Sequence, residues 1–216
     1  MNRFHRWYCQ SSHWKQKLSS EILPWCLDGV DLSGEVLELG PGPGLTTDWL
    51  RVHCGRITCL ELDPNLARVL SERVEDSRIT VKLGDAAAMP FSDGLFSVVL
   101  SFTMLHHVPS SAMQDRVFRE SFRVLRPGGI FVGADSVPSF SMHLVHLGDT
   151  MVCVDPKQLP ARLQAAGFKD VNVQQNGGRF RFRARRPRFP RFEGDSENET
   201  PSAGDQTSLR KVLCSS

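Results

Sequence analysis

No two of the six cysteines, Cys9, Cys26, Cys54, Cys59, Cys153 and Cys214, stand at C-x-x-C spacing, and histidine and cysteine do not cluster at zinc-ligand spacing. Neither a disulfide framework nor a metal site is supported, and no metal is expected. Free thiols fit a reducing, cytoplasmic setting. No apolar run is long enough to span a bilayer, so no transmembrane segment is expected. The N-terminal stretch MNRFHRWYCQSSHWKQ lacks the apolar core of a secretory leader. It also lacks acids before Glu21, a faint likeness to a transit peptide; Phe4, Trp7, Tyr8 and Trp14 point instead to a helix packed on the domain. Charge of one sign is not in excess: the formal net charge of +2 singles out no acidic or basic partner.

What is present suits one domain. At 216 residues and 40% hydrophobic content the chain can bury a real core. From about residue 34, apolar runs of strand length alternate with helical patterns. Strands are expected at 36–39, 57–61, 79–83, 96–102 and 130–134. Helices are expected after Gly44, after the Asp63-Pro64 cap, over 114–125 and over 156–166. Val98-Val99-Leu100 is continuously apolar, as in a strand buried on both faces. Two further strands, 171–175 and 180–184, flank the turn sequence Asn176-Gly177-Gly178. Alternating strands and helices predict a Rossmann-like, doubly wound α/β sheet, which binds ligands beyond the carboxyl ends of its strands. The expected organisation is an N-terminal helical lid segment over 1–33, a ligand-binding domain over 34–190 and a disordered tail over 191–216. Pro, Gly, Ser, Glu, Asn and Thr dominate that tail.

The residues after the strands carry the chemistry. Glu38-Leu39-Gly40-Pro41-Gly42-Pro43-Gly44 follows the first strand and opens a helix. A dinucleotide site needs a further glycine where Leu45 stands, and Pro41 and Pro43 have no N–H for a pyrophosphate. Glu38 would repel pyrophosphate and suit a ligand with a positive amino group. Glu61 ends the second strand and can accept from both ribose hydroxyls. Asp85 follows the third and can accept from an adenine amino group, while the Ala86 N–H can donate to a ring nitrogen. Three carboxylates after three successive strands favour a ligand carrying ammonium and sulfonium charge.

In these features residues 34–134 resemble the class I S-adenosylmethionine-dependent methyltransferases, particularly those with small-molecule acceptors. VLELGPGPG resembles the family's first motif, LELDP its second-strand motif and GDAAAMPFSDGLFSVVLS the stretch through the fourth strand. LHHV and LRPGGIF resemble the segments after strand four and before strand five. PKQLPARLQAAGF and the last two strands resemble the family's C-terminal part. Ser97 departs from the usual Asp.

The resemblance implies a mostly parallel seven-stranded sheet whose last strand is antiparallel. It implies S-adenosyl-L-methionine as cofactor, held by Glu38, Gly40, Pro41, Gly42, Gly44, Glu61, Leu62, Asp85, Ala86 and Ser101. A small-molecule acceptor is expected. His106 is a candidate general base because it follows strand four near the expected methyl group. Packing of His106 on the cofactor is the competing reading. His143 and His146 lie in the segment after strand five, where a surface role is the simpler reading. Ser101-Phe102-Thr103-Met104 is not the N/D-P-P-Y pattern of amino methylation of adenine or glutamine, and no Pro-Cys pair suggests the covalent cytosine mechanism.

Residues 179–192, RFRFRARRPRFPRF, could track phosphates and stack bases. They also read as a strand with Phe180, Phe182 and Ala184 on one face and arginines on the other. The resemblance expects a strand there, so nucleic acid is not the expected partner. An RNA methyltransferase, a non-catalytic S-adenosylmethionine-binding protein and a nicotinamide dehydrogenase are the alternative readings.

Overall fold

In a computed structural model, residues 11–138 and 151–188 are described. Arg3 to Tyr8, His143, His146 and the 191–216 tail lie outside them. Seven strands make one sheet: β1 (Glu35–Leu39), β2 (Arg56–Glu61), β3 (Ile79–Leu83), β4 (Phe96–Phe102), β5 (Leu125–Ser136), β6 (Lys169–Asn176) and β7 (Arg179–Arg185). Their order is β3-β2-β1-β4-β5-β7-β6. The first five run parallel, and β7 is antiparallel to both its neighbours. The expected fold class is the observed one.

Burial follows sequence pattern. Every residue of the apolar run in β4 is buried, because helices cover both faces of the central strands. At the β7 position the pattern alternates: Phe180, Phe182 and Ala184 are buried while the arginines between them are not fully covered. One face of the sheet packs Leu37, Phe96, Val99, Phe118 and Phe131 with the β7 phenylalanines. Phe131 meets Phe182 edge-on at 4.9 Å and stacks with Phe168 at 5.8 Å. The other face packs Val36, Val98, Leu100 and Val132 against Trp14, Leu18 and Leu23 of the N-terminal segment. Each such large side chain contributes roughly 1.5–3 kcal/mol when fully buried.

The N-terminal segment is α1 (Ser12–Lys17), a π-helical turn (Leu18–Ile22) and α2 (Leu23–Leu27). Ser11 caps it by accepting from the Trp14 N–H. The other helices are α3 (Leu45–Leu50), α4 (Pro64–Arg73), α5 (Ser111–Val124) and α6 (Leu159–Ala165). Asp63 caps α4 as its sequence predicts, accepting from the Asn65 and Leu66 N–H groups. Helix α5 starts earlier than the periodicity suggests because Ser110 caps it through the Met113 N–H. Strand β5 also starts earlier, since Leu125 already pairs with Phe96 before the ladder shifts register. Ser97 donates to the Glu35 carbonyl at 2.8 Å, fastening the base of β4 to β1. Among the described residues no helix is long and apolar enough to cross a membrane, and no group of three potential ligands is placed to hold a metal.

Candidate active site

All chemistry-bearing loops meet at the carboxyl end of the sheet. After β1, Gly40 turns with φ +62°, and a Cβ there would lie 2.5 Å from the Met104 Cγ, so only glycine passes under that side chain. Glu61, 7% exposed at the end of β2, ties two loops together. One carboxylate oxygen accepts from the Gly42 N–H at 2.9 Å and the other from the Asp63 N–H at 3.0 Å. Arg73 braces the loop from behind, donating to the Pro43 and Gly44 carbonyls and pairing with Asp48 at 2.8 Å. After β3, Asp85 accepts from the Ala87 N–H at 2.8 Å. Arg123 of α5 fixes the connection that follows by donating to the Met89 and Phe91 carbonyls and to Asp93.

These loops wall one end of a cavity of about 1280 Å³. That exceeds the roughly 300–1,000 Å³ of a usual small-molecule site, leaving room for two ligands side by side. Gly40, Pro41, Gly42, Glu61, Leu62, Asp85 and Ala86 line it; Glu38, Gly44 and Ser101 do not. Gly44 precedes α3 at φ +86°. Ser101 lies inside β4, paired in register with Leu39 and Gly133. Glu38 is 2% exposed behind the glycine loop. Its carboxylate accepts from the Thr47 hydroxyl at 2.7 Å and the Cys59 thiol at 3.5 Å. Burial outweighs these bonds and pushes Glu38 up to about 7.

His106 also lines the cavity, on a 3₁₀ turn (Leu105–His107) after β4. The residue is buried, 3% exposed. Its Nδ1 sits 2.6 Å from the Asp135 carboxylate, which also accepts from the His106 backbone N–H at 3.1 Å. Burial works to raise the Asp135 carboxyl, but the facing imidazole charge and the bonds from His106 and Ser136 hold it below the ordinary carboxylate value. An ionised carboxylate only accepts, so Nδ1 carries hydrogen and Nε2 is the ring's basic nitrogen when neutral. Asp135 escaped sequence reading. Its signal was available in Gly133-Ala134-Asp135-Ser136: an acid at the carboxyl end of the last parallel strand, beside the histidine of its neighbour.

The methyltransferase-domain family model matches residues 37–133. Phthiotriol/phenolphthiotriol dimycocerosates methyltransferase of Mycobacterium tuberculosis is 35% identical over 51% of this chain and 41% of its own length. Erythromycin 3''-O-methyltransferase of Saccharopolyspora erythraea is 33% identical over 51% of this chain and 37% of its own. Over the matched residues the chain is similar to S-adenosylmethionine-dependent methyltransferases. It spans about half or less of the length of the curated relatives it matches. Among solved structures, phosphoethanolamine N-methyltransferase 2 of Haemonchus contortus, bound to S-adenosyl-L-methionine, has the same fold. Its TM-score is 0.68 at 16% identity, over 87% of this chain and 61% of that one.

The glycine-loop part of the cavity fits S-adenosylmethionine, the cofactor of these relatives. Glu61, Asp63 and Asp85 line the cavity from the loops after β2 and β3, whereas Lys17 and Arg179 line it from the N-terminal segment and β7. The three carboxylates on these loops suit ammonium and sulfonium charge and oppose a pyrophosphate. Open space lies beside Gly42, where an added Cβ would meet nothing within 4 Å. The arginines of β7 have internal work. Arg179 lies 4.7 Å over Trp14, and Arg183 donates to the Cys26 and Asp28 carbonyls. Arg186, just beyond β7, takes the carbonyls of Phe122, Arg123 and Leu125 at the end of α5. The strand reading of RFRFRAR therefore accounts for these residues without a nucleic acid.

Proposed function

We propose that this chain transfers a methyl group from S-adenosylmethionine to a hydroxyl of a small, largely apolar acceptor, with His106 receiving the acceptor's proton. The observation that carries the reading is one cavity joining the acidic glycine-loop end to a histidine oriented by Asp135. The cofactor, when bound, supplies a methyl group already activated on a sulfonium sulfur. The Gly40–Gly44 loop, Leu62 and Ala86 then shape the pocket, while Glu61 accepts from ribose hydroxyls and Asp85 from the adenine amino group. Glu38, Gly44 and Ser101 remain in the proposed set from one layer behind. Asp135 steadies the imidazolium that forms when His106 takes the proton.

The acceptor's body would meet Ile22, Trp25, Phe102, Met113 and Val117, apolar residues that line the cavity. Relatives named for erythromycin, phthiotriol and 24-methylenesterol support that class. Residues 1–33 act as the lid in this reading, 34–190 as the transferase domain, and free thiols at Cys26, Cys54, Cys59 and Cys153 suit a cytoplasmic setting. The test is calorimetric titration with S-adenosylhomocysteine and with NADH, followed by a screen of hydroxylated apolar acceptors read by S-adenosylhomocysteine release. Binding of NADH alone would overturn the cofactor. Cofactor binding without turnover on any acceptor would favour a non-catalytic binding protein, and turnover only on RNA would overturn the acceptor class.

A further inference from the structure

The turn that carries His106 is held from a second side, away from Asp135. Gln114 of α5 is fully buried. Its Nε2 donates to the Leu105 carbonyl at 3.1 Å and to the Val152 carbonyl at 2.7 Å. The Val152 N–H in turn donates to the His106 carbonyl at 2.8 Å. The direction of the amide is fixed by its other end. Arg162 of α6 donates to the Gln114 Oε1 at 3.0 Å, and a guanidinium can only donate, so the amide nitrogen must face the two carbonyls. Arg162 is itself fixed by Asp115 at 2.7 Å and the Ser111 carbonyl at 2.8 Å, and stacks over Phe118. Three segments thus converge on one α5 side chain that does not line the cavity.

We propose that Gln114 is a positioning residue for His106, clamping the 3₁₀ turn and residue 152 together so that the imidazole keeps its place beside Asp135. The proposal rests on His106 being the base. Removing the amide leaves the half-buried Val152 carbonyl without its donor and the Leu105 carbonyl with the Val108 N–H alone, so only the Val152 N–H to His106 carbonyl bond still ties the turn to residue 152. A displacement of about 1 Å at a reacting group can cost roughly 100-fold in rate.

The test uses the full chain with Gln114→Met, which keeps the volume and drops the polar atoms. Histidine ring signals are followed by ¹H–¹⁵N correlation, with His106→Gln assigning the peak. The expected result is a sharp, exchange-protected Nδ1–H in the wild type that broadens or exchanges rapidly in Q114M. S-adenosylhomocysteine affinity stays within about twofold, because other elements build that end. With a turned-over acceptor, kcat falls by about 100-fold while its KM changes little, and the pH–rate profile moves. Arg162→Met, which lets the amide flip, gives the same changes more weakly and serves should Q114M fail to fold. An unchanged Nδ1–H signal in the folded variant overturns the role. If no acceptor turns over even in the wild type, it is the proposed reaction that fails, and the ring signal still decides the clamp.

Discussion

Arg181 holds Trp25 at two points. Its guanidinium lies 4.8 Å over the indole, and its Nη1 donates to the Trp25 backbone carbonyl. Arg183 continues the same grip at 2.9 Å on Cys26 and 2.6 Å on Asp28. Both arginines land on carbonyls at the end of α2 that have no partner further along the helix. The consequence reaches the cavity, because Trp25, Ile22 and Glu21 of this segment form its wall. Strand β7, paired on both sides within the sheet, thereby fixes the proposed acceptor side.

Replacing Arg181 with alanine removes a charge-assisted hydrogen bond and a cation–π contact together. A loss on the order of 2 kcal/mol is expected in urea unfolding. Trypsin should cut within the N-terminal segment faster than in the wild type. Lysine should restore little, since an ammonium cannot stack flat and reach the carbonyl at once. Wild-type stability and cleavage rates in both variants would show that the grip is incidental.

The strands and the acids after them were legible because each signal is local. Val98-Val99-Leu100 announces a strand buried on both faces, and Asp63-Pro64 announces a helix start. Glu61 and Asp85 fall where the sheet's polarity puts ligand-binding residues. What could not be read depends on tertiary proximity. Asp135 meets His106 only because β5 lies beside β4, and Gln114 meets Val152 across 38 positions of sequence. Glu38 shows the opposite limit. Its place in the loop motif is plain in the sequence, yet its side chain turns behind the loop toward Thr47, and only packing decides that.

Glu61 joins the glycine loop to the start of α4 through two backbone N–H groups. Glu61→Ala leaves both donors without their acceptor, and cofactor affinity should fall at least about tenfold. Glu61→Gln keeps the shape but presents an amide to one N–H, so it should fall between the two. Calorimetric titration of S-adenosylhomocysteine measures both. An affinity unchanged in the alanine variant would remove Glu61 from the cofactor site.

Glu38 makes stability depend on pH in a defined direction. Its carboxyl is raised from 4.5 to about 7 in the folded chain, so folding favours the protonated form. The stability this confers is complete below about pH 4.5 and is lost as pH rises through about 7. At about 1.4 kcal/mol per pH unit, the loss is on the order of 3 kcal/mol. Glu38→Gln stays neutral and can still accept from Thr47. Its advantage over the wild type should grow from pH 5 to pH 8 and then level off. Urea midpoints taken across that range test it, and parallel pH curves for the two proteins would show that Glu38 titrates normally.

Asp135 and His106 should fail as a unit. The carboxylate keeps hydrogen on Nδ1 and leaves Nε2 basic, whereas an asparagine can turn its NH₂ toward Nδ1 and reverse the tautomer. Asp135→Asn should therefore lower kcat by about 10²–10⁴-fold, the range a general base contributes. His106→Ala should lower it as much, and the double variant no further, because each change already disables the same proton transfer. S-adenosylhomocysteine affinity should stay near the wild-type value in all three, since neither side chain belongs to the glycine-loop end. Steady-state turnover on any accepted hydroxyl compound, paired with calorimetry, separates these effects. A double variant that loses the product of the two single losses would mean that Asp135 serves the reaction by a route other than His106.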